Sequence, residues 1–229
     1  MAVSIIASVG ADGKNNTTDI TAVQTLLNKY VDPKIVVNGV CTGKADDPTV
    51  IAIKSFQSKY TSSPDGRVDA GGGTLKKLSA EPLILLPQSG GNGFYSYGSG
   101  MDKRQWGTQK TIDTLTNVAL DFWWQYPTAK IGYGDISFQF GGTMSPHSTH
   151  KDGKNVDVRP CRLNNEQIPV SYTDANYDFD KTKYLVESLL CQINVKRILF
   201  NDKEIQKIDK ANIQSCAGHD NHLHIIMSE

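Results

Sequence analysis

Long apolar runs are missing from this chain of 229 residues. None approaches the roughly 18–20 apolar residues that a membrane-spanning helix needs, so no membrane span is expected. An excess of one charge is missing as well. Lysine plus arginine and aspartate plus glutamate stand at 24 each, a balance that argues against a surface built to gather nucleic acid or anionic membrane. Cysteines are few: Cys41, Cys161, Cys191 and Cys216. None forms a CxxC pair, which makes a thiolate metal cage a poor reading. They read either as free thiols or as one or two disulfides made in an oxidising compartment, with Cys161 and Cys216 the favoured pair. Positive charge is absent from Met1 to Gly10, and the short apolar run there soon gives way to Asp12-Gly13-Lys14-Asn15-Asn16. That is not the pattern of a Sec-type signal peptide.

What is present reads as an α+β chain with a small helical module in front. Residues 15–80 are expected to fold as one unit. Asp19 is a plausible N-cap for a helix with Ile20, Val23, Leu26, Leu27 and Tyr30 on one face. Asp47-Pro48-Thr49 opens a second helix, whose apolar face is Val50, Ile53, Phe56 and Tyr60. A third helix from Thr74 carries Leu75 and Leu78. Residues 81–105 read as a linker, punctuated by Pro82, Pro87, Gly90, Gly91, Gly93, Gly98 and Gly100. Leu83 to Leu86 is too apolar for a free tether and is expected to pack on a domain. Residues 106–229 form the second unit. There a helix is expected over 108–126, a strand over 130–140 and a half-buried strand at Val156-Asp157-Val158-Arg159. A helix over 181–192 and strands over 195–200 and 223–227 complete it. No regular βαβ rhythm appears, which favours α+β with a central antiparallel sheet.

The histidines carry the chemistry. All five lie in two short glycine-flanked clusters: His147 with His150, and His219 with His222 and His224. A catalytic zinc takes three protein ligands from histidine, aspartate, glutamate or cysteine and keeps one position for water. His150 and Asp157 are too far apart in sequence to pair on adjacent helical turns, but a loop through Gly153 into a strand can return the carboxylate to the imidazole. His222-Leu223-His224 has the period of a strand, so both imidazoles project from one face while Leu223 enters the core. That suits one metal ligand and one neighbour able to hold or deprotonate water. Asp135 and Asp220 are the acceptors considered for the outer ring nitrogens of ligating histidines.

The segment Ser145-Pro146-His147-Ser148-Thr149-His150-Lys151-Asp152-Gly153-Lys154-Asn155-Val156-Asp157 resembles the HxxHxxGxxxD motif of penicillin-insensitive murein endopeptidases. Gly218-His219-Asp220-Asn221-His222-Leu223-His224 resembles their terminal GHxxHxH motif. Gly134-Asp135-Ile136-Ser137 and Gly141-Gly142 also fit. The resemblance spans most of residues 106–229 and implies a zinc peptidase of the lysostaphin and D-Ala-D-Ala type. It implies zinc ligands His150, Asp157 and His224. It further implies His222 as general base or water-holding residue, with His219 and His147 lining the site; between His222 and His219 the base stays open. Pro160 to Asp180 matches no motif and is expected to border the substrate groove. In the first unit Val23-Gln24-x-Leu26-Leu27, Ala52-Ile53-x-x-Phe56-Gln57, Asp65-Gly66-x-Val68 and Thr74-Leu75-x-x-Leu78 resemble the common peptidoglycan-binding domain. The loop from Val31 to Asp47, with Cys41, is longer than that pattern.

The implied function is a zinc-dependent endopeptidase acting on cross-link or stem peptides of bacterial peptidoglycan. A zinc carboxypeptidase trimming stem peptides is the nearest alternative, and a non-catalytic zinc-containing wall-binding protein is one of a different class. Action in the periplasm or wall of a target bacterium without a signal peptide leaves two routes: a phage endolysin freed by host lysis, or an antibacterial effector delivered by a secretion machine. A cognate immunity protein would accompany an effector.

Overall fold

The structure, a computed structural model, describes residues 3–88 and 93–228. Gly90 and Gly91 of the expected linker lie outside the described residues. The architecture mixes α and β, with seven helices and a six-stranded mixed sheet among the described residues. None of the helices is long and apolar enough to cross a membrane. The chain divides into two compact units, Met1–Pro82 and Leu83–Glu229.

The first unit contains β1 (Val9–Gly10), α1 (Thr17–Leu27), α2 (Pro48–Gln57), β2 (Arg67–Val68) and α3 (Gly73–Ser79). Helix α2 starts where a cap and a proline dictate. The Asp47 side chain accepts a bond from Thr49 N at 2.8 Å, and Pro48 occupies the first turn, where an amide hydrogen would be idle. Helix α1 starts earlier than expected. Asn16 rather than Asp19 is its N-cap, and Asp19 instead accepts bonds from Ile6 N and Ala7 N, tying the segment before β1 to the first turn. Ile20, Val23, Leu26 and Leu27 meet Val50, Ile53 and Phe56 of α2 and Leu75 and Leu78 of α3 in a dry interior. The antiparallel pairing of β1 with β2 is a feature that the helical periodicity does not announce. Gln24 anchors the long loop after α1: its amide nitrogen donates to Asn38 Oδ1, Val40 O and Thr49 Oγ1, and its oxygen accepts from Asn38 N and Gly39 N.

The second unit begins inside the stretch that composition marks as a linker. It contains β3 (Ile84–Leu85), β4 (Phe94–Ser96), α4 (Met101–Arg104), β5 (Trp106–Gly107) and α5 (Gln109–Gln125). There follow β6 (Ile131–Tyr133), β7 (Asn155–Val158), α6 (Phe179–Leu190), β8 (Val195–Leu199), α7 (Lys203–Gln206), β9 (Ile213–Gln214) and β10 (Leu223–Met227). Leu86 and Phe94 are core residues of this unit, and the described glycines of the stretch, Gly93, Gly98 and Gly100, lie beside its short elements rather than in a tether. The large sheet runs β4-β6-β7-β10-β8-β9. Its four inner strands pair antiparallel, while β4 on β6 and β8 on β9 pair parallel, so the sheet is mixed rather than antiparallel throughout. One face receives Leu115, Val118 and Phe122 of α5 and Leu185, Val186 and Leu189 of α6, packed with Val156, Val158, Leu223 and Ile225. Thr108 caps α5 and Asp178 caps α6, each accepting from a backbone amide three residues on.

Two strands differ from the periodicity in ways that build the site. The strand expected over 130–140 stops at Tyr133. Gly134 N still donates to Asp157 O, but the buried Gln105 amide captures the carbonyls of Tyr133 and Gly134 at 2.9 Å each, and the chain turns off the sheet. Strand β7 is buried on both faces rather than half-buried. A β-strand fed only by core packing on one side would leave Asn155 and Asp157 wet; here the polar face is the floor of a histidine cluster. All four cysteines are free, Cys161 and Cys216 included; burial pushes the Cys161 thiol up to about 12.

Candidate metal centre

Strand register is what assembles the centre. Strand β10 pairs antiparallel with β7 so that His224 stands opposite Asp157, Leu223 opposite Val158 and Ile225 opposite Val156. The apolar partners point into the core, and the two-residue period therefore sends Asp157 and His224 to the same opposite face. His224 Nδ1 lies 3.0 Å from Asp157 Oδ1. The loop from Gly134 to Lys154 brings the other cluster over that face. His150 is fully buried, with Nε2 at 3.1 Å from the same Oδ1. Two glycines shape this loop. Gly141, at φ +64°, lies so close to Lys151 O that an added Cβ would sit 2.3 Å from it, and Gly153, at φ +77°, would meet Thr108 N at 2.9 Å.

The outer nitrogens decide what the inner ones can do. His150 Nδ1 faces the Ile136 carbonyl at 3.1 Å, a group that only accepts, so the ring proton of a neutral imidazole belongs there. His224 Nε2 faces Asn155 Oδ1 at 3.1 Å. Asn155 is oriented by its own amide nitrogen, which donates to Thr149 O at 3.0 Å, so its oxygen must face the imidazole. Neutral His150 and His224 thus turn bare lone pairs toward one carboxylate oxygen. Lone pairs converging at about 3 Å need positive charge between or upon them, as imidazolium or as a shared cation. Burial works against the Asp157 carboxylate, but bonds from His150 and His224 with the charge of the surrounding imidazoles outweigh it and hold its pKa well below the usual value. A group that overlaps this one, His147, His150 and Asp157, could hold a metal ion: its ligand atoms all lie within 4.8 Å of one another, and His224 is not part of it.

His147 and His224 are placed differently. His147 Nε2 stands 2.9 Å from Asp135 Oδ2, and its Nδ1 stands 3.6 Å from Asp157 Oδ2. Asp135 is in turn gripped by both arms of Arg104, one at 2.7 Å. Asp135 is therefore a partner of His147, not of His150, and Asp220 accepts from Asn201 instead of serving a site histidine. His222, just before β10, places Nε2 at 4.0 Å from Asp157 Oδ1 while Nδ1 meets Asn221 Oδ1 at 2.9 Å. Burial pushes the His222 pKa down, Asp157 opposes this, and the neighbouring imidazoles reinforce it. The His219 ring packs at 4.7 Å from that of His222 and 5.7 Å from that of His224, with Nδ1 on the Ala217 carbonyl.

The centre opens on a cleft of about 390 Å³, bordered by Tyr97, Arg104, His147, Arg159, Pro169 and His222. Pro169 belongs to the stretch 160–180 expected to border a groove. The spacing of histidines does not reveal Asn155, Ile136, Arg104 or Arg159. Asn155 had one usable signal, since it shares the period-two face of Asp157. The Ile136 carbonyl had none, because a main-chain acceptor leaves no trace in residue type. Replacing Asn155 by alanine is expected to free the His224 ring and lower metal affinity by roughly 10- to 100-fold; competition against a chromogenic chelator measures it, and unchanged affinity would remove Asn155 from this role. Compared with protein-family models and with curated proteins, the chain matches none.

Proposed function

We propose that this chain is a zinc-dependent peptidase that hydrolyses peptide bonds of bacterial peptidoglycan, with His150, Asp157 and His224 as the zinc ligands. The observation that carries the reading is the convergence of two bare imidazole nitrogens on one buried carboxylate, with a third imidazole, His222, 4.0 Å away at the mouth of an open cleft. His224 is favoured over His147 as third ligand for three reasons. It sits on a paired strand, it is buried, and Asn155 holds its outer nitrogen. His147 belongs to a loop, and its side chain retains 26% exposure.

Zinc held there supplies Lewis acidity that polarises a carbonyl and acidifies water. The protein supplies the rest. His222 Nε2 is bare when Nδ1–H donates to Asn221, and its lowered pKa keeps it neutral near pH 7. It can therefore take a proton from the attacking water and return it to the leaving amine as the C–N bond breaks. His147, oriented by Asp135 and Arg104, and His219, packed on His222, border the reacting carbonyl. In the first unit, the helical pattern that resembles peptidoglycan-binding domains supports a wall-binding role, which raises local concentration on an insoluble substrate. Delivery to a target cell and a cognate immunity protein belong to the same proposal.

Purified sacculi distinguish the outcomes. Wild type is expected to convert cross-linked dimers to monomers, while protein treated with EDTA and the His150→Ala variant leave them whole, as read by mass spectrometry of the fragments. Release of free D-Ala alone would assign a carboxypeptidase. Intact sacculi with zinc bound at one per chain would sink the catalytic reading for this substrate.

A further inference from the structure

Among the described residues, no carboxylate forms an ion pair with the cleft residue Arg159. The other cleft arginine, Arg104, is spent on Asp135. Arg159 sits at the end of β7 with its guanidinium 4.0 Å from the centre of the Tyr97 ring. Its Nη1 donates to the Gln167 carbonyl at 3.0 Å and to the Tyr95 hydroxyl at 3.3 Å. A guanidinium has five N–H donors. Those two bonds use Nη1, and Nε–H and both Nη2 hydrogens have no partner among the described residues. The Nε/Nη2 edge is the fork that matches a carboxylate with two parallel bonds.

The surroundings are built to hold that fork. Gly132 and Gly134 on and after β6 leave room for two rings: an added Cβ at Gly132 would lie 2.7 Å from the Tyr95 hydroxyl oxygen, and one at Gly134 would lie 2.4 Å from the Tyr97 ring. The tyrosines fill the space side chains would take and form a wall on which the guanidinium stacks. The Gln167 carbonyl, from the stretch before Pro169, holds Nη1 at 3.0 Å. Tyr97 also borders the cleft.

We propose that Arg159, stacked on Tyr97 and held by the Gln167 carbonyl, is a specificity-determining residue that binds a carboxylate of the peptide substrate beside the scissile bond. This deepens the peptidase reading and rests on it. The carboxylate is either the chain terminus of a stem peptide or an acidic side chain within it, and amidating each in turn separates the two.

The experiment titrates zinc-loaded protein by calorimetry with a stem pentapeptide as its free acid, as its C-terminal amide, and with its glutamate α-carboxyl amidated. A charge-assisted bidentate bond predicts that one amidation, and not the other, weakens binding by roughly 10- to 100-fold. Arg159→Gln is expected to bind the free acid more weakly by a similar factor and to lose the discrimination, while Arg159→Lys recovers part of it. Equal binding of all three peptides by wild type overturns the proposal, and this comparison needs no variant to fold. Discrimination that survives in Arg159→Gln overturns it too. Sacculi cut without discrimination would leave the peptidase and remove the anchor; discrimination with sacculi uncut would do the reverse.

Discussion

Asp157→Asn is expected to abolish both zinc binding and sacculus hydrolysis while leaving the fold intact. Asp157 Oδ1 is the one atom on which His150 and His224 both converge, at 3.1 and 3.0 Å. An asparagine keeps the volume and offers its amide hydrogens to the bare imidazole nitrogens, so the metal-free protein loses little. What it removes is the negative charge that offsets a divalent cation in a buried site. Thermal scans separate these effects. Ligand present at about 100 times its dissociation constant adds about 2.7 kcal/mol, or roughly 5–10 °C in a unit of this size. Wild type should show that rise with zinc and lose it with EDTA. Asp157→Asn should show neither change, and its hydrolysis should fall by more than the roughly 10- to 100-fold loss in activity that marks an outlying partner. His224→Ala should behave alike and His147→Ala should keep the zinc-induced rise. The opposite result for that last pair would transfer the third ligand position to His147, which stands close enough to hold a metal with His150 and Asp157.

His222→Ala is expected to keep one zinc per chain and lose turnover by roughly 10²- to 10⁴-fold, the contribution of a positioned acid–base group. Its Nε2 approaches the carboxylate to 4.0 Å without a bond, too far to be counted with His150 and His224. His219→Ala should cost less, because the His219 ring bears on its neighbours through stacking and its Nδ1 is turned to the Ala217 carbonyl. If the two variants swap ranks, the base is His219. If His222→Ala hydrolyses sacculi at the wild-type rate, the imidazole has no part in proton transfer, and a wall-binding protein with a structural metal explains the cluster better.

Much of the centre was legible because its residue types are rare and its strands are regular. Confinement of five histidines to two clusters is visible in the one-letter code, and so is the alternation at Asn155–Val158 and Leu223–Met227 that sends Asp157 and His224 away from the core. Helix starts marked by a capping side chain, Asp47 and Thr108, were likewise local facts. Asn16 displaced Asp19 as a cap because two amides of a preceding segment compete for the Asp19 carboxylate, and competition of that kind lies outside any helical window.

The sequence by itself therefore determined which side chains have the chemistry to ligate a cation and which faces of β7 and β10 Asp157 and His224 occupy, since residue chemistry and a two-residue period are local properties. That His147, rather than His224, groups with His150 and Asp157 within 4.8 Å was left to the tertiary structure. Only the tertiary structure decided the register that sets His224 against Asp157, the departure of the chain from the sheet at Gly134, and the stack of Arg159 on Tyr97. It also decided that the glycine-rich stretch before Trp106 supplies strands and core to the second unit. Each of these depends on contacts between residues far apart in the chain, made by core packing and by backbone groups that every residue shares, and such groups leave no mark in the identity of the residues that carry them.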